Sequence, residues 1–214
     1  MNEESENRLV VIDYGMGNIK SILNMLRKLG KPAFPSTHPN DLLNADRLIL
    51  PGVGSFDAGM RNLRDKGYLN ILNQQVIENR VPILGICLGM QLFGLHSEEG
   101  VEPGLGWIEA DSIRFHFGPG DTQQKVPHMG WSPVRLCRYS PLLPCPDSDT
   151  RFYFVHSYYV VCHNPEDVLM VSHHGLEFTS ALCHGNIFGT QFHPEKSHRH
   201  GLHLFRNFLK WHPN

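Results

Sequence analysis

The chain has 214 residues and an ordinary globular composition, which is enough for one large domain with its own hydrophobic core. Its formal net charge is −2 at pH 7 and it has no long basic run, so electrostatics give no reason to expect a nucleic-acid partner. The five cysteines include no C-x-x-C pair, which argues against a disulfide framework or a zinc ribbon and favours free thiols in a reducing compartment.

The N-terminus and the longest apolar stretch bear on targeting. Residues 1–8 are polar and acidic, unlike a signal peptide, and we expect residues 1–7 to form a flexible tail. The longest apolar stretch, residues 81–95, is too short to span a membrane. We therefore expect a cytoplasmic protein without membrane contact, folded as a single domain over residues 1–214.

Strands and helices alternate along the first hundred residues. Apolar side chains from Ile19 to Leu29 recur at helical spacing, Asn18 precedes them as an N-cap, and Gly30 stops the helix. Short apolar runs bounded by turn residues predict the strands. The predicted strands are 8–13, 32–37, 47–50 and 81–86, and the predicted helices are 19–29, 55–65 (capped by Ser55) and 68–79.

The second half has shorter strand-like runs. A turn at 118–121 separates runs 113–117 and 125–131, and a surface loop covers 141–149. A closing helix is predicted over 198–211. Further strands are predicted at 151–161, 168–172, 178–183 and 187–192. The whole pattern predicts an α/β fold, with a central, mostly parallel sheet flanked by helices and an added antiparallel layer.

The run 81–93 contains the sequence Gly85-Ile-Cys87-Leu-Gly89 at a predicted strand-to-helix junction. A nucleophile at such an elbow is exposed on a sharp turn, and the start of a helix favours a thiolate and offers free N–H groups to an oxyanion. A buried structural cysteine explains the same pentapeptide equally well. On these five residues alone both interpretations remain open.

A cysteine nucleophile needs a base, and the base needs an orienting group. His193-Pro-Glu195 lies at the end of a predicted apolar strand, where extended geometry would point both side chains to the same side. Alone, this pair is more often a surface histidine beside a solvated acid. Together with Cys87 it predicts a Cys87–His193–Glu195 triad.

No metal or cofactor is expected. Histidines cluster near the C-terminus at 198, 200 and 203, but carboxylates or cysteines in metal-ligand order are absent beside them. We interpret these histidines as solvated helix residues.

The motifs Gly85-Ile-Cys-Leu-Gly89, His193-Pro-Glu195 and Pro51-Gly-Val-Gly54 together resemble the class I (triad) glutamine amidotransferases, over about residues 8–211. Within that class, four further segments are similar to the glutaminase subunits of imidazole glycerol phosphate synthase, from histidine biosynthesis. These segments are 13–18, 127–131, 154–158 and 191–197.

That resemblance implies a Rossmann-like α/β glutaminase fold. It also implies a heterodimer with a TIM-barrel cyclase (synthase) subunit that makes imidazole glycerol phosphate and AICAR from ammonia passed through a shielded tunnel. Cys87, as thiolate, would attack the side-chain amide of glutamine. His193 would protonate the leaving ammonia and then activate water against the thioester.

The resemblance also assigns an oxyanion site. The backbone N–H of Leu88 and one from the segment after the third strand, most naturally that of Val53, would hold the tetrahedral oxyanion. Gly52 and Gly54 would permit a peptide there to flip into place. A misoriented segment would then keep the free subunit nearly silent, because one oxyanion donor is worth roughly 3–4 kcal/mol.

Residues of the substrate site are implied in the same way. Gln91 and Glu99 match family positions that hold the polar ends of glutamine, Glu99 for the α-ammonium. His156, Ser157 and Tyr158 would contact the α-carboxylate, partly through their backbone. Without the family match, Gln91 is a helix-surface amide and Glu99 a solvated loop acid.

Four residues match positions that face the partner or its tunnel entrance, namely Asn18, Met129, Trp131 and Lys196. On the sequence alone, Asn18 is simply a helix cap, and Trp131 is equally consistent with a core position.

Three other functions remain open. A paralogous glutaminase subunit would feed ammonia to a sugar amidotransferase in surface-polysaccharide synthesis, and Ser132, where Asn is commoner, is consistent with that role. A non-catalytic binding protein on the same fold would lack the nucleophile or the base, and both are present. A cysteine peptidase would not need the acids Glu99 and Glu195 in these positions.

Overall fold

The computed structural model describes residues 8–118, 124–144 and 146–211. Residues 1–7, the predicted tail, lie outside this range, as does most of the predicted turn at 118–121. The strands are β1 Leu9–Ile12, β2 Ala33–Ser36, β3 Arg47–Gly52, β4 Ile83–Cys87, β5 His96–Ser97, β6 Ala110–Arg114, β7 His128–Pro133, β8 Arg135–Leu136, β9 Arg151–His156, β10 Tyr158–Cys162, β11 Val168–His174, β12 Leu176–His184 and β13 Ile187–Thr190. The α-helices are α1 Ile19–Lys28, α2 Phe56–Asp65, α3 Tyr68–Asn73, α4 Leu88–Gln91 and α5 His198–Lys210.

The central sheet begins with five parallel strands in the order β2-β1-β3-β4-β13. Strand β12 then pairs antiparallel with β13, and the sheet continues through β10, β6 and β5. Strand β11 also pairs with β12, and β8 pairs with β11. The predicted α/β class, a mostly parallel sheet with an added antiparallel part, is confirmed. The carboxyl ends of β3, β4 and β13 lie side by side, where α/β proteins build their sites.

Two apolar clusters cover the two faces of this sheet. Alternate residues of β1 separate between them, since Leu9 and Val11 belong to one and Val10 and Ile12 to the other. Helices α1 and α5 pack on the first face, and α2 and α3 on the second. Strands β1, β3, β4 and β13 are therefore buried on both sides, which explains why they read as continuous apolar runs, whereas the edge strand β2 is partly exposed.

Helix α1 begins and ends where the sequence predicts. Asn18 Oδ1 accepts the Ser21 N–H at 3.3 Å. Gly30 has φ +69°. The Gly30 N–H bonds to Arg27 O at 2.9 Å and the Lys31 N–H to Leu26 O at 3.2 Å, which together form a Schellman cap. A side chain at Gly30 would be strained in this conformation, so this glycine sets the end of the helix.

Several predicted elements were wrong in extent. The helix predicted at 68–79 is α-helical only to Asn73 and continues as a π turn over Gln74–Glu78. The run predicted at 113–117 lies three residues earlier, as β6, and the run predicted at 125–131 starts three and ends two residues later, as β7, because β6 is fixed by its pairing with β10 and β7 by its pairing with β9. The two-residue strands β5 and β8 were not predicted.

The break at Ser157 matters most for the site. The sequence predicts one strand over 151–161, but β9 pairs only with β7 in a separate two-stranded ribbon, whereas β10 joins the main sheet. The chain must leave one sheet and enter the other at Ser157. This turn brings the backbone of 156–158 to the cavity described below.

Candidate active site

Cys87 occupies a strained elbow at the end of β4. Its backbone has φ +55° and ψ −109°, values that a non-glycine residue rarely adopts, and its side chain is 7% exposed. The helix that follows, α4, is a single turn, so its first N–H groups point back toward Cys87 without intrahelical partners. The sharp turn predicted from Gly85-Ile-Cys87-Leu-Gly89 is present.

Glycines let the end of β3 approach this elbow closely. A Cβ on Gly89 would lie 1.9 Å from Leu50 O, and a Cβ on Gly52 would lie 2.6 Å from the Leu88 Cβ. Gly52 stands opposite Cys87 in the parallel register of β3 and β4. Any larger residue would separate the two strands, so the glycines place residues 52–54 beside Cys87.

His193 and Glu195 form a buried pair. His193 Nδ1 lies 2.8 Å from Glu195 Oε1, and each side chain is 2% exposed. The backbone is extended only at His193, because Pro194–Lys196 forms a 3-10 turn rather than the extended segment expected. Ser197 holds this turn, since its hydroxyl donates to His193 O at 2.6 Å and accepts the Tyr153 N–H at 3.0 Å.

The surroundings favour a protonated His193. Burial alone lowers its pKa, but the Cys87 sulfur and the Glu195 carboxylate outweigh burial and raise the pKa to about 10. Within the described residues, His193 Nε2 is buried without a hydrogen-bond partner. The ring is therefore oriented through Nδ1 and keeps Nε2 available for proton exchange with a bound molecule.

One cavity of about 280 Å³ brings most of the predicted site residues together. Glu195 lies behind His193 and Gly52 behind the elbow, so neither lines the cavity. Pro127 and Val155 add apolar wall that the sequence did not indicate. The predicted residues that line it are Val53, Gly54, Cys87, Leu88, Gln91, Glu99, His156, Ser157, Tyr158, His193 and Lys196.

Two polar side chains in the cavity each bond to the protein through one terminal atom and leave the other terminal atom for a ligand. Gln91 Nε2 donates to Tyr158 O and to Gln191 Oε1, both at 3.1 Å, which leaves its Oε1 for a ligand. Glu99 Oε2 accepts the Phe56 N–H at 2.7 Å, which leaves Oε1 for a cationic group. The cap of α2 is this carboxylate, because Ser55, predicted as the cap, occupies the position without a side-chain hydrogen bond.

The His156 ring is committed inside the protein. Its Nδ1 lies 2.8 Å from Tyr158 O and its Nε2 lies 3.1 Å from His128 Nδ1. Burial lowers its pKa to about 3, with smaller contributions of the same sign from neighbouring histidines. A neutral ring with both nitrogens occupied offers no charge to a carboxylate, so the His156 side chain does not bind one.

The four predicted partner-facing residues are all exposed. Met129 and Trp131 project from the same face of β7, with 63% and 42% exposure, and a core position for Trp131 is excluded. Lys196 Nζ lies 5.5 Å from the ring centre of Tyr153, the register partner of Trp131. Asn18 is exposed beside Gly17, whose backbone packs on Pro51. Of the four, Lys196 lines the cavity, and Met129 stands opposite the cavity-lining Val155 in the register of β7 and β9.

Sequence reasoning missed two polar residues in contact with the site. The Tyr14 hydroxyl, fully buried, donates to Pro51 O at 2.8 Å, and its pKa is raised by burial and then by the charge of Cys87. Gln191 Nε2 lies 3.6 Å from Cys87 Sγ. Both residues lie in segments that match the family, 13–18 and 191–197, but the sequence assigns neither a role, and only the pairing of β3, β4 and β13 reveals their neighbours.

The described residues contain neither a metal site nor a membrane-spanning helix. No group of three or more His, Cys, Asp or Glu side chains suited to a metal ion occurs among the residues that the structure describes. Over the same ranges, no helix has both the length and the apolar character needed to cross a bilayer.

Comparison with known proteins gives consistent matches. The family model of glutamine amidotransferase class-I matches residues 10–211. The chain is 52% identical over 202 residues to imidazole glycerol phosphate synthase subunit HisH 2 of Pseudomonas aeruginosa, covering 94% of this chain and 98% of that protein. It is 48% identical to the subunit HisH 2 of Methanococcus maripaludis with the same coverage, and 41% identical to the subunit HisH of Leptospira borgpetersenii, covering 92% and 97%.

Solved structures of lower identity share the fold. A putative GMP synthase protein from Thermoplasma acidophilum has a TM-score of 0.70 at 22% identity, covering 95% of this chain and 92% of that chain. PurLQS from Thermotoga maritima has a TM-score of 0.65 at 16% identity, covering 96% and 98%.

Proposed function

Since the chain belongs to the class-I glutamine amidotransferase family, we propose that it is the glutaminase subunit of an imidazole glycerol phosphate synthase. As one glutaminase domain in the cytoplasm, it hydrolyses glutamine to glutamate and ammonia. It passes the ammonia to a TIM-barrel cyclase subunit in a heterodimer, for histidine biosynthesis. Relatives of that name at 41–52% identity over nearly their whole length support this assignment.

One observation carries the chemistry: a strained cysteine and a buried, carboxylate-paired histidine line the same cavity. The cysteine supplies a nucleophile, and the histidine supplies a proton at Nε2, which has no hydrogen-bond partner among the residues that the structure describes. Neither arrangement is needed for folding, and the positive φ at Cys87 opposes it. A non-catalytic role explains neither feature.

In the first half-reaction, the Cys87 thiolate attacks the side-chain carbonyl carbon of glutamine, and a C–S bond forms. The carbonyl electrons move onto oxygen, which the backbone N–H groups of Leu88 and Val53 stabilise. The His193 imidazolium gives its Nε2 proton to the amide nitrogen. The C–N bond breaks as the carbonyl re-forms, and ammonia leaves a thioester on Cys87.

In the second half-reaction, neutral His193 takes a proton from water, which attacks the thioester carbon. The C–S bond breaks and the carboxylic acid product forms, which loses its remaining proton to solvent and is released as glutamate, and the Cys87 thiolate and the His193 imidazolium are restored. Glu195 stabilises the imidazolium through Nδ1 in both halves without changing its own protonation. Atoms and charge therefore balance over the cycle without a cofactor.

The anchored side chains of the cavity orient the amino acid. The free oxygen of Glu99 takes the α-ammonium, and Gln91 Oε1 accepts from a donor of the substrate. Backbone groups of residues 156–158 take the α-carboxylate, since the His156 ring is neutral and occupied. The Glu99 carboxylate, anchored near the exposed cavity mouth, supports an amino-acid substrate over a peptide, because it can bind a free α-ammonium group.

The exposed cavity mouth is where the partner docks. Lys196 lines it and the exposed Met129 stands opposite Val155 of its wall, so a barrel that covers these two residues, together with Asn18 and Trp131, would keep ammonia from bulk water, where protonation would remove it. Val53 is 52% exposed at this mouth. Contact with the partner would thus reach the oxyanion segment 52–54 directly, which provides a way to activate hydrolysis only in the complex.

A glutaminase assay with defined partners tests the proposal. Glutamate release is measured for the chain alone, with the cyclase subunit of imidazole glycerol phosphate synthase and its ligand, and with a sugar amidotransferase of surface-polysaccharide synthesis. Of the two partners, we expect only the cyclase subunit to stimulate hydrolysis, by at least tenfold. Stimulation only by the sugar amidotransferase would show that the chain is the paralogous subunit of surface-polysaccharide synthesis. The absence of hydrolysis with either partner would contradict a glutaminase.

A further inference from the structure

We propose that one continuous hydrogen-bonded chain joins the exposed strand β7 to the Cys87 sulfur, with Ser132 and His128 as positioning residues for the substrate cavity. The inference deepens the proposed function, and its effect on catalysis rests on that function. The geometry of the hydrogen-bonded chain is independent of that function.

The first link lies on the inner face of β7. Alternation along this strand turns Met129 and Trp131 outward and His128 and Ser132 inward. Ser132 Oγ lies 2.9 Å from His128 Nε2. The same strand that presents aromatic and apolar side chains to a partner therefore also carries the outer end of an internal hydrogen bond.

The second and third links cross from β7 to β9 and then to the cavity wall. His128 stands directly opposite His156 in the register of these two strands, and His128 Nδ1 lies 3.1 Å from His156 Nε2. His156 Nδ1 lies 2.8 Å from the carbonyl oxygen of Tyr158. Tyr158 lines the cavity.

The direction of every bond follows from its ends. A carbonyl oxygen can only accept, so His156 carries its proton on Nδ1 and accepts through Nε2. His128 must then donate through Nδ1 and accept through Nε2, which receives the proton of the Ser132 hydroxyl. Both imidazoles are thus fixed as the Nδ1–H tautomer, as long as both rings are neutral.

The surroundings keep both rings neutral and immobile. His128 is 4% and His156 6% exposed. Stacking on Phe154 at 4.9 Å and on His174 at 4.3 Å holds the His128 ring, and Phe115 packs against both His128 and His156. Burial lowers the pKa of His128 to about 4, with a smaller contribution from His174, so neither histidine is charged near neutral pH.

Three further bonds reach the nucleophile. The Tyr158 carbonyl also accepts from Gln91 Nε2, at 3.1 Å, and the same nitrogen donates to Gln191 Oε1, at 3.1 Å. Gln191 Nε2 then points at Cys87 Sγ, at 3.6 Å. The Tyr158 carbonyl accepts only, which turns the Gln91 nitrogen toward it and toward Gln191 Oε1, and the Gln191 nitrogen is thereby turned toward Cys87.

The Tyr158 carbonyl connects the two halves of the hydrogen-bonded chain, because it accepts from both His156 and Gln91. The Ser132 side reaches it through two histidines, and the Cys87 side through two glutamines. If Ser132 is lost, His128 Nε2 is left without a donor, and the bond from His128 to His156 weakens because the Ser132 hydroxyl no longer polarises the His128 ring. The consequence is a less well fixed cavity wall at 156–158, where the α-carboxylate of glutamine is expected.

Nuclear magnetic resonance of the ring nitrogens tests the chain without any activity. In the ¹⁵N-labelled full-length protein at neutral pH, we expect the Nδ1–H tautomer for both His128 and His156. Ser132→Ala should shift the ring resonances of His156, two links away, whereas Ser132→Thr, which keeps the hydroxyl on the same Cβ, should not. An Nε2–H tautomer at either histidine, or an unchanged His156 in Ser132→Ala, would overturn the chain.

Steady-state kinetics of the same three proteins with the cyclase subunit test the effect on the site. We expect Ser132→Ala to raise KM for glutamine roughly 3- to 10-fold, the effect of one net hydrogen bond, with kcat changed less than twofold. Ser132→Thr should restore the wild-type KM. Equal KM values in all three would reject the positioning role. A wild-type protein that hydrolyses no glutamine would instead reject the proposed function, and the resonance data would still decide the chain.

Discussion

Glu195 Oε1 lies 2.8 Å from His193 Nδ1, and both side chains are 2% exposed. A carboxylate at this distance fixes the imidazole ring and stabilises its protonated form, in a site where burial alone would neutralise it. The pair is held by a turn only three residues long, so the orientation of His193 depends on Glu195, whereas its charge depends on Cys87 and on Glu195.

Glu195→Gln should reduce kcat for glutamine hydrolysis by on the order of 10³-fold with little change in KM, since the ring loses its orienting charge. The pKa of His193 should fall, so the loss of activity at high pH should begin below the value of about 10 that holds in the wild type. A pH–rate profile of the complex measures both effects. Activity within threefold of the wild type would show that Glu195 does not orient the base.

Glu99→Gln should raise KM for glutamine about 10- to 100-fold, because the α-ammonium loses a charged acceptor. The amide oxygen can still accept the Phe56 N–H, so the cap of α2 is retained. Glu98→Gln is the matched control, since Glu98 accepts the Arg114 N–H at 2.6 Å and does not line the cavity. Equal KM values for the two variants would remove Glu99 from the substrate site.

Tyr14→Phe should lower kcat about 3- to 10-fold, because the segment that follows Pro51 loses the hydrogen bond that fixes it. Tyr68→Phe is a suitable comparison, since that buried hydroxyl bonds to Ser36 O at 3.2 Å, away from the cavity. Thermal unfolding should show similar destabilisation for both. A similar kcat for both would mean that Tyr14 serves stability alone.

The buried histidines predict an acid sensitivity. In the folded chain the pKa is about 4 for His128 and about 3 for His156, whereas in the unfolded chain both are near 6.5. The unfolded state therefore binds protons first as the pH falls, so this contribution is complete above about pH 6.5 and is lost progressively down to about pH 4 and pH 3.

His128→Asn keeps a donor toward His156 and removes one of these titrations. Its free energy of unfolding should fall less steeply than that of the wild type between pH 6.5 and pH 4, as measured by urea unfolding. His203→Asn, at an exposed position of α5, should leave the slope unchanged. Parallel curves for the wild type and His128→Asn would contradict a buried neutral His128.

Local signals in the sequence predict what depends on local structure. The face and both ends of α1 follow from apolar spacing, Asn18 and Gly30, and the elbow follows from the glycines around Cys87. The strand order and the break at Ser157 depend on which strands pair, and no spacing in the sequence specifies that choice.

The network around the triad was not predictable for the same reason. Gln191 is separated from Cys87 by 104 residues and His128 from His156 by 28, and each pair meets only through strand register. The triad itself was predicted because its three residues carry distinctive patterns and match a family. Tyr14 and Gln191 lie in segments that match the family, but their residue types indicate no catalytic role, so only the fold identifies their contacts.

Covalent labelling tests the central claim, that Cys87 is the nucleophile of a glutaminase. The full chain, alone and with the cyclase subunit, is treated with a glutamine analogue that carries an electrophilic ketone in place of the amide, and the adduct is mapped by peptide mass spectrometry. We expect one adduct, on Cys87, that excess glutamine prevents and that Cys87→Ala lacks. Labelling of the exposed Cys137 instead, or glutamine hydrolysis by Cys87→Ala, would contradict the account.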